Sequence, residues 1–203
     1  ENFFASDFDT TTMDEITVPG NWQRQGYGKM HYSDLWYNFP IDPPYVPTEN
    51  PTGIYKRTFE VDAEFKDQTI ILRFCGVDSA YKVWVNGQMV GYSKGARNEA
   101  EFDITDLVYL HEVNDLTVQV YQWSDGTYLE DQDMWWLSGI YRDVELLGVP
   151  KNGIQDFQVT ANLLHDYQDG DLQITATLRK EAGQTVQVEL LDEKQNVLYT
   201  ATN

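Results

Sequence analysis

The chain has 203 residues, 41% of them apolar and 14% aromatic, and carries 33 acidic side chains against 14 basic ones, for a net charge of −19. This suits one large β domain, or one domain and part of another, and it excludes nucleic acid and anionic membrane surfaces as partners, since phosphate contacts draw on Lys and Arg. The single cysteine, Cys75, excludes an intramolecular disulfide and predicts a cytoplasmic location, and no apolar run reaches the length of a membrane span.

Residues 1–52 are predicted to be mostly irregular. The stretch "FPIDPPYVPTENPTG" holds Pro40, Pro43, Pro44, Pro47 and Pro51. Proline fixes φ and lacks a ladder donor, so this segment is extended and lies outside any sheet. The aromatics of "HYSDLWYNF" just before it predict an ordered arm laid over a surface. From Gly53 the texture changes. "GIYKRTFEV" alternates, with Tyr55, Arg57, Phe59 and Val61 on one face, and "QTIILRFCGV" is a continuous apolar strand containing Cys75 as a structural thiol. "SAYKVWVNGQMVGYSKG" reads as two strands turning at Asn86-Gly87, the strongest short hairpin signal. "AEFDITDLV" is a short strand and a turn, "NDLTVQVYQW" alternates again, and "GIYRDVELLGV" is a further strand. Short strands, frequent turns and no amphipathic helix predict an all-β sandwich or jelly roll.

"GVPKNG" at 148–153 carries linker chemistry. Beyond it four alternating segments follow, all without tryptophan, and the shift in composition places a domain boundary there: 1–149 and 150–203. Four strands are fewer than the seven of an immunoglobulin-type sandwich, so the second domain is predicted to be truncated.

The stretch with most chemistry is "SDGTYLEDQDMWWLSGIYRDV", residues 124–144. Asp125, Glu130, Asp131, Asp133, Asp143 and the adjoining Glu145 sit there beside Trp135 and Trp136. Glycoside hydrolysis needs two carboxyls about 5 to 9.5 Å apart, on opposite sides of the sugar, and such pairs come from separate elements rather than one run. A cluster like this one binds a ligand or cation, caps backbone amides, or is a purely structural loop. Trp84 and Trp123 lie in alternating strands and are predicted to be core; Trp22, Trp36, Trp135 and Trp136 lie in or beside loops, as sugar platforms or as a seam against another domain. His31, His111 and His165 have no metal-ligand spacing, and no HExxH, CxxC or GxSxG motif occurs, so a self-contained zinc or Ser-His-Asp hydrolase is excluded.

"VPGNWQ" (18–23), "PPYVPTENPTGIY" (43–55), "GVDSAYKVWVNGQMVGYSKGARNEAEFDIT" (76–105) and "WSDGTYLEDQDMWWLSGIYRDVELL" (123–147) closely resemble the N-terminal part of the large β-galactosidases of glycoside hydrolase family 2. The resemblance covers nearly all of residues 17–150; the "DSA-KVWVNG" pattern is shared with β-glucuronidases and β-mannosidases of the same family. It implies a jelly-roll, galactose-binding-domain-like sandwich, then a partial immunoglobulin-like sandwich. A TIM barrel of about 250 residues carrying both catalytic glutamates is expected elsewhere. The chain is therefore expected to be a fragment at both ends, with no catalytic residue of its own. Two positions carry over by resemblance. Asp133 matches an aspartate that reaches into the barrel to contact galactose and a sodium ion. Asp34 matches a sugar-contacting position that is asparagine in the best-known relatives, so its donor capacity differs. Expected cofactors are sodium through Asp133, with its other ligands from the barrel, and magnesium within the barrel. Expected partners are a β-galactoside such as lactose, the chain's own barrel and other protomers. Two further readings stay open: a stand-alone carbohydrate-binding module, and a domain serving structure and assembly alone.

Overall fold

The computed structural model describes residues 2–179 and 185–202. The chain divides into two compact units, Glu1–Val149 and Pro150–Asn203. Unit one begins with β1 (His31–Tyr32), β2 (Thr52–Glu60), β3 (Gln68–Phe74), β4 (Val77–Asp78), β5 (Ala80–Val85) and β6 (Gln88–Lys94). It continues with β7 (Ala100–Asp103), β8 (Val113–Tyr121), the single turn α1 (Thr127–Glu130), β9 (Trp135–Trp136), β10 (Gly139–Ile140) and β11 (Val144–Pro150). Its two main sheets run β2-β8-β5-β6 and β11-β3-β7, and all the pairings described in them are antiparallel. The fold class is all-β, a sandwich, as the alternation predicted.

Period-two alternation explains which side chains meet. Tyr81, Val83 and Val85 of β5 point inward, as do Val118 and Val120 of β8, and they join Leu72 and Phe74 of β3 in one core. Phe74 lies 5.0 Å from the Tyr81 ring and 5.9 Å, edge-on, from Phe102. Each such side chain contributes about 1.5–3 kcal/mol by leaving water.

The β5–β6 hairpin turns at Asn86 (φ 49°) and Gly87 (φ 76°), the paired positive φ of a type I′ turn. Asn86 does more than turn the chain. Its amide nitrogen donates to the Leu107 carbonyl and to Asn114 Oδ1 at 2.8 Å each, while its Oδ1 accepts the Asp115 amide, also at 2.8 Å.

On the outer face of the four-stranded sheet, Trp84 is covered by the start of the chain. The Phe4 ring stacks on it at 5.6 Å and Phe3 meets it edge-on at 5.4 Å. Lys56 Nζ secures that segment by donating to the carbonyls of Phe3 and Ala5, with Asp115 at 3.0 Å and Thr117 at 2.8 Å completing its shell.

Several expectations are corrected. Trp22 is core, 6% exposed, rather than a platform. Gly20 N and Trp22 N bond to the carbonyls of Ile140 and Ser138, which turns the indole over Gly53, where a Cβ would lie 2.7 Å from the ring. Trp123, expected in the core, is half-buried among loop aromatics, because the alternation of β8 ends at Tyr121. "GIYRDVELLGV" forms two strands, β10 and β11, broken where the Tyr141 hydroxyl donates to the Ala96 carbonyl at 2.6 Å. Cys75 is a free, half-buried thiol whose pKa is raised, chiefly by burial, in keeping with a structural role.

Unit two holds two antiparallel ribbons: β12 (Gly153–Leu164) with β13 (Asp169–Arg179), and β14 (Gln187–Leu191) with β15 (Val197–Thr202). Register pairs Phe157 with Ala176, Val159 with Ile174 and Ala161 with Leu172, so one face of the first ribbon is apolar.

Candidate functional site

The Pro-rich arm and the acidic loop are joined by backbone pairing. β1 runs antiparallel to β9, with His31 opposite Trp136 and Tyr32 opposite Trp135. The Tyr32 ring lies 5.7 Å from that of Trp135, and its hydroxyl donates to Asp133 Oδ1. That bond, followed by desolvation and by the charges of Asp133 and then Asp34, pushes the Tyr32 phenol up to about 12. The bond ties Asp133 to the arm, on which Asp34 follows Tyr32 by two residues. Asp34 and Asp133 are both exposed.

Behind this edge the arm is fixed by aromatics. Tyr128, on α1, is the hub: its hydroxyl accepts from Asp42 N at 3.2 Å and donates to the Tyr45 carbonyl at 2.6 Å. The Tyr37 ring sits 5.3 Å from it, and the Tyr37 hydroxyl donates to the Tyr128 carbonyl at 3.0 Å. Phe39 packs edge-on against Trp123 at 5.1 Å, and Trp123 against Trp136 at 5.5 Å. Asn50 closes the arm by a two-way bond with the Trp123 backbone, at 2.8 and 2.9 Å. The ordered arm expected from composition is present, and its anchor is the acidic loop itself.

The six carboxylates of the loop divide by role. Asp125 Oδ2 pairs with Lys94 Nζ at 2.5 Å, and that bond holds its pKa below the usual aspartate value. Glu130 Oε1 accepts the Ala96 amide at 2.7 Å, and Glu145 lies 3.5 Å from Arg73 Nη1. Asp125 and Glu130 hold the loop to the sandwich, while Glu145 bridges two strands of the sandwich itself, β11 and β3. Asp143 ties in through its carbonyl, which accepts the Cys75 amide at 3.0 Å. Asp131 and Asp133 remain at the rim, where partial burial pushes the Asp131 carboxyl up.

Under the rim is a narrow cleft of about 30 Å³, lined by Asp78, Glu130, Asp131, Trp135 and Trp136 among others. At its floor Asp78 pairs with Arg97 at 3.0 Å, and burial pushes the Asp78 carboxyl up to about 6 in spite of that partner. Ser79, Ser124 and Thr127 hydroxyls meet beneath α1, the first two 2.5 Å apart. Sequence reasoning missed Tyr32, Asp78, Arg97 and Tyr128, each of which acts through a partner remote along the chain. The only local hint was that Tyr32 and Asp34 stand two apart in an aromatic-rich run.

Among the described residues no group of three or more His, Cys, Asp or Glu is placed to hold a metal ion. Asp133 Oδ1 takes the Tyr32 hydroxyl, while Oδ2 meets no donor among the described residues. A free carboxylate oxygen at an exposed rim fits a hard cation as one ligand of several. No helix among the described residues is long and apolar enough to cross a membrane.

Comparison with known proteins gives a match over residues 2–150 to the family model described as glycosyl hydrolases family 2, sugar binding domain. The chain belongs to that family. A protein of Vibrio vulnificus named beta-galactosidase is 46% identical over 195 residues, 96% of this chain and 19% of that protein. One of Priestia megaterium with the same name is 46% identical over 184 residues, 88% of this chain and 18% of that protein. The chain thus spans about a fifth of the length of these relatives. Among solved structures, Bacteroides uniformis beta-glucuronidase 2 superposes with a TM-score of 0.73 at 22% identity, covering 98% of this chain and 23% of that one. The beta-glucuronidase of an uncultured Clostridium gives 0.64 at 29% identity, covering 75% of this chain and 28% of that one. The first of these likenesses speaks to the fold alone.

Proposed function

We propose that this chain is the N-terminal, site-completing part of a retaining β-galactosidase that hydrolyses terminal β-D-galactosides such as lactose. The observation that carries this is the β1–β9 pairing, which brings the arm that bears Asp34 to the acidic loop and joins the Tyr32 hydroxyl to Asp133 at an exposed rim beside Trp135. Two curated relatives named beta-galactosidase, about as similar as one another, support galactose over glucuronic acid. A dense acidic rim also favours a neutral sugar over an anionic one, because a uronate would meet like charge.

Asp133 and Asp34 accept hydrogen bonds from sugar hydroxyls, and charge-assisted bonds of this kind are short and directional. Asp133 would also hold a sodium ion as one ligand of several, the others coming from the catalytic barrel, and the ion would supply a fixed positive charge beside the sugar. Magnesium belongs to the barrel. The glutamates that act as nucleophile and acid/base also lie in the barrel, so the cleft here binds and positions but does not cleave. The parent protein is cytoplasmic and assembles with other protomers.

The test is hydrolysis of a chromogenic β-galactoside by this chain alone and by this chain mixed with the remainder of the protein. Activity is expected only on mixing, and it is expected to fall when Asp133→Ala is used. Turnover by the chain alone that vanishes in Asp133→Ala would refute the assignment. The description of the matching family as a sugar binding domain favours a second reading, an autonomous carbohydrate-binding module. Tight galactose binding by this chain with no recovery of activity on mixing would select it.

A further inference from the structure

We propose that the Tyr32 hydroxyl is a positioning group for Asp133, holding by one oxygen the carboxylate whose other oxygen faces the ligand. The proposal rests on the galactosidase reading and extends it to a residue that the resemblance did not single out.

Two observations converge on it. The first is the hydrogen bond itself. It joins residues on two different segments and uses Asp133 Oδ1 alone, while Oδ2 meets no donor among the described residues. An exposed aspartate at the tip of a loop samples several rotamers, and fixing one of them before binding removes an entropic cost from the binding step. The second is the backbone beneath the bond. Tyr32 stands opposite Trp135 in the β1–β9 ribbon, two positions from Asp133, and the phenol ring rests on the Trp135 indole. The ring is therefore held by pairing and by packing, and the hydroxyl is delivered to a fixed place.

The test uses the whole protein, with Tyr32→Phe, Asp133→Asn and the double variant. Phenylalanine keeps the ring on Trp135 and removes only the hydroxyl. The measurements are calorimetric binding of D-galactose at low and high sodium, and KM and kcat for a chromogenic galactoside. Loss of a hydrogen bond to a charged group corresponds to a loss of affinity of about tenfold or more, so Tyr32→Phe is expected to weaken galactose binding by about that factor. KM is expected to rise more than kcat falls. The double variant is expected to bind no more weakly than Asp133→Asn, because Tyr32 acts only through Asp133. Unchanged galactose affinity in Tyr32→Phe, while Asp133→Asn weakens it, overturns the positioning role and leaves the site assignment standing. Full additivity in the double variant overturns it too. Unchanged affinity in Asp133→Asn removes the assignment of the site itself. If Tyr32→Phe melts lower than the wild type, sodium dependence decides: a structural defect leaves the ratio of galactose affinities at high and low sodium as in the wild type, and loss of positioning reduces that ratio.

Discussion

Burial holds the Asp78 carboxyl at about 6 against its ordinary 3.8, and the Arg97 guanidinium 3.0 Å away lowers it only in part. The folded state therefore holds this proton more tightly than the unfolded chain does. Stability from Asp78 is fully present below about 3.8 and is lost as the pH climbs through about 6. Asp78→Asn keeps a hydrogen-bonding group in place and cannot titrate. Between pH 4 and 6 the wild type is expected to lose on the order of 3 kcal/mol relative to this variant, with the difference constant above that window. Denaturant titrations followed by tryptophan fluorescence read it out, since all six tryptophans lie in unit one. A difference that stays flat from pH 4 to 7 would show that Asp78 titrates normally. None of this was visible in the sequence: Asp78 stood in "GVDSA" as one acid among 33, and its burial is a property of the cleft that closes over it.

Elements divide between those written locally and those that depend on distant partners. The β5–β6 hairpin was legible because Asn86 and Gly87 adopt positive φ by their own chemistry. The core faces of β5 and β8 were legible for a similar reason, since a period of two declares which side is buried. The acidic loop was legible only as a cluster. Its division into two fastening acids, Asp125 and Glu130, and two rim acids, Asp131 and Asp133, is decided by Lys94 and the Ala96 amide, which no spacing within the loop announces. The one-turn helix α1 escaped notice because four residues carry no periodicity. Its importance is as the seat of Tyr128, which binds Asp42 and Tyr45 of the arm. Tyr128→Phe keeps the ring and deletes both bonds. It is expected to speed limited proteolysis within residues 36–47 about tenfold, on the basis of roughly 1–2 kcal/mol lost locally, while the melting of the sandwich changes little. Equal cleavage rates in both proteins would mean that ring packing alone holds the arm.

The two units differ in how far each completes a core. Unit one buries Phe74, Val83, Val85, Val118 and Val120 almost wholly. In unit two Phe157 is 66% exposed, Val159 52% and Leu163 66%, all on one face of the β12–β13 ribbon. Two-stranded ribbons are marginal in water, and an exposed apolar face of this kind invites association. Residues 150–203 expressed alone are therefore expected to bind a hydrophobic dye and to sediment as a concentration-dependent mixture. Residues 1–149 are expected to stay monomeric and dye-silent. A dye-silent, monomeric 150–203 peptide would show that the ribbons cover each other in solution. The composition shift at "GVPKNG" made this contrast partly legible, because the tryptophans and most other large aromatics lie before it.

The β1–β9 ribbon has a kinetic consequence. His31 and Trp136 must close a loop of more than a hundred residues before a single pair of their backbone bonds can form, whereas the Asn86 turn brings its two strands together at once. Contacts so distant in sequence form late and, being few, open first. The sandwich can thus be fully assembled while its rim is still unmade. During synthesis the Tyr32–Asp133 contact becomes possible only after nearly all of unit one has left the ribosome, so this rim is among the last parts of the domain to take its final shape.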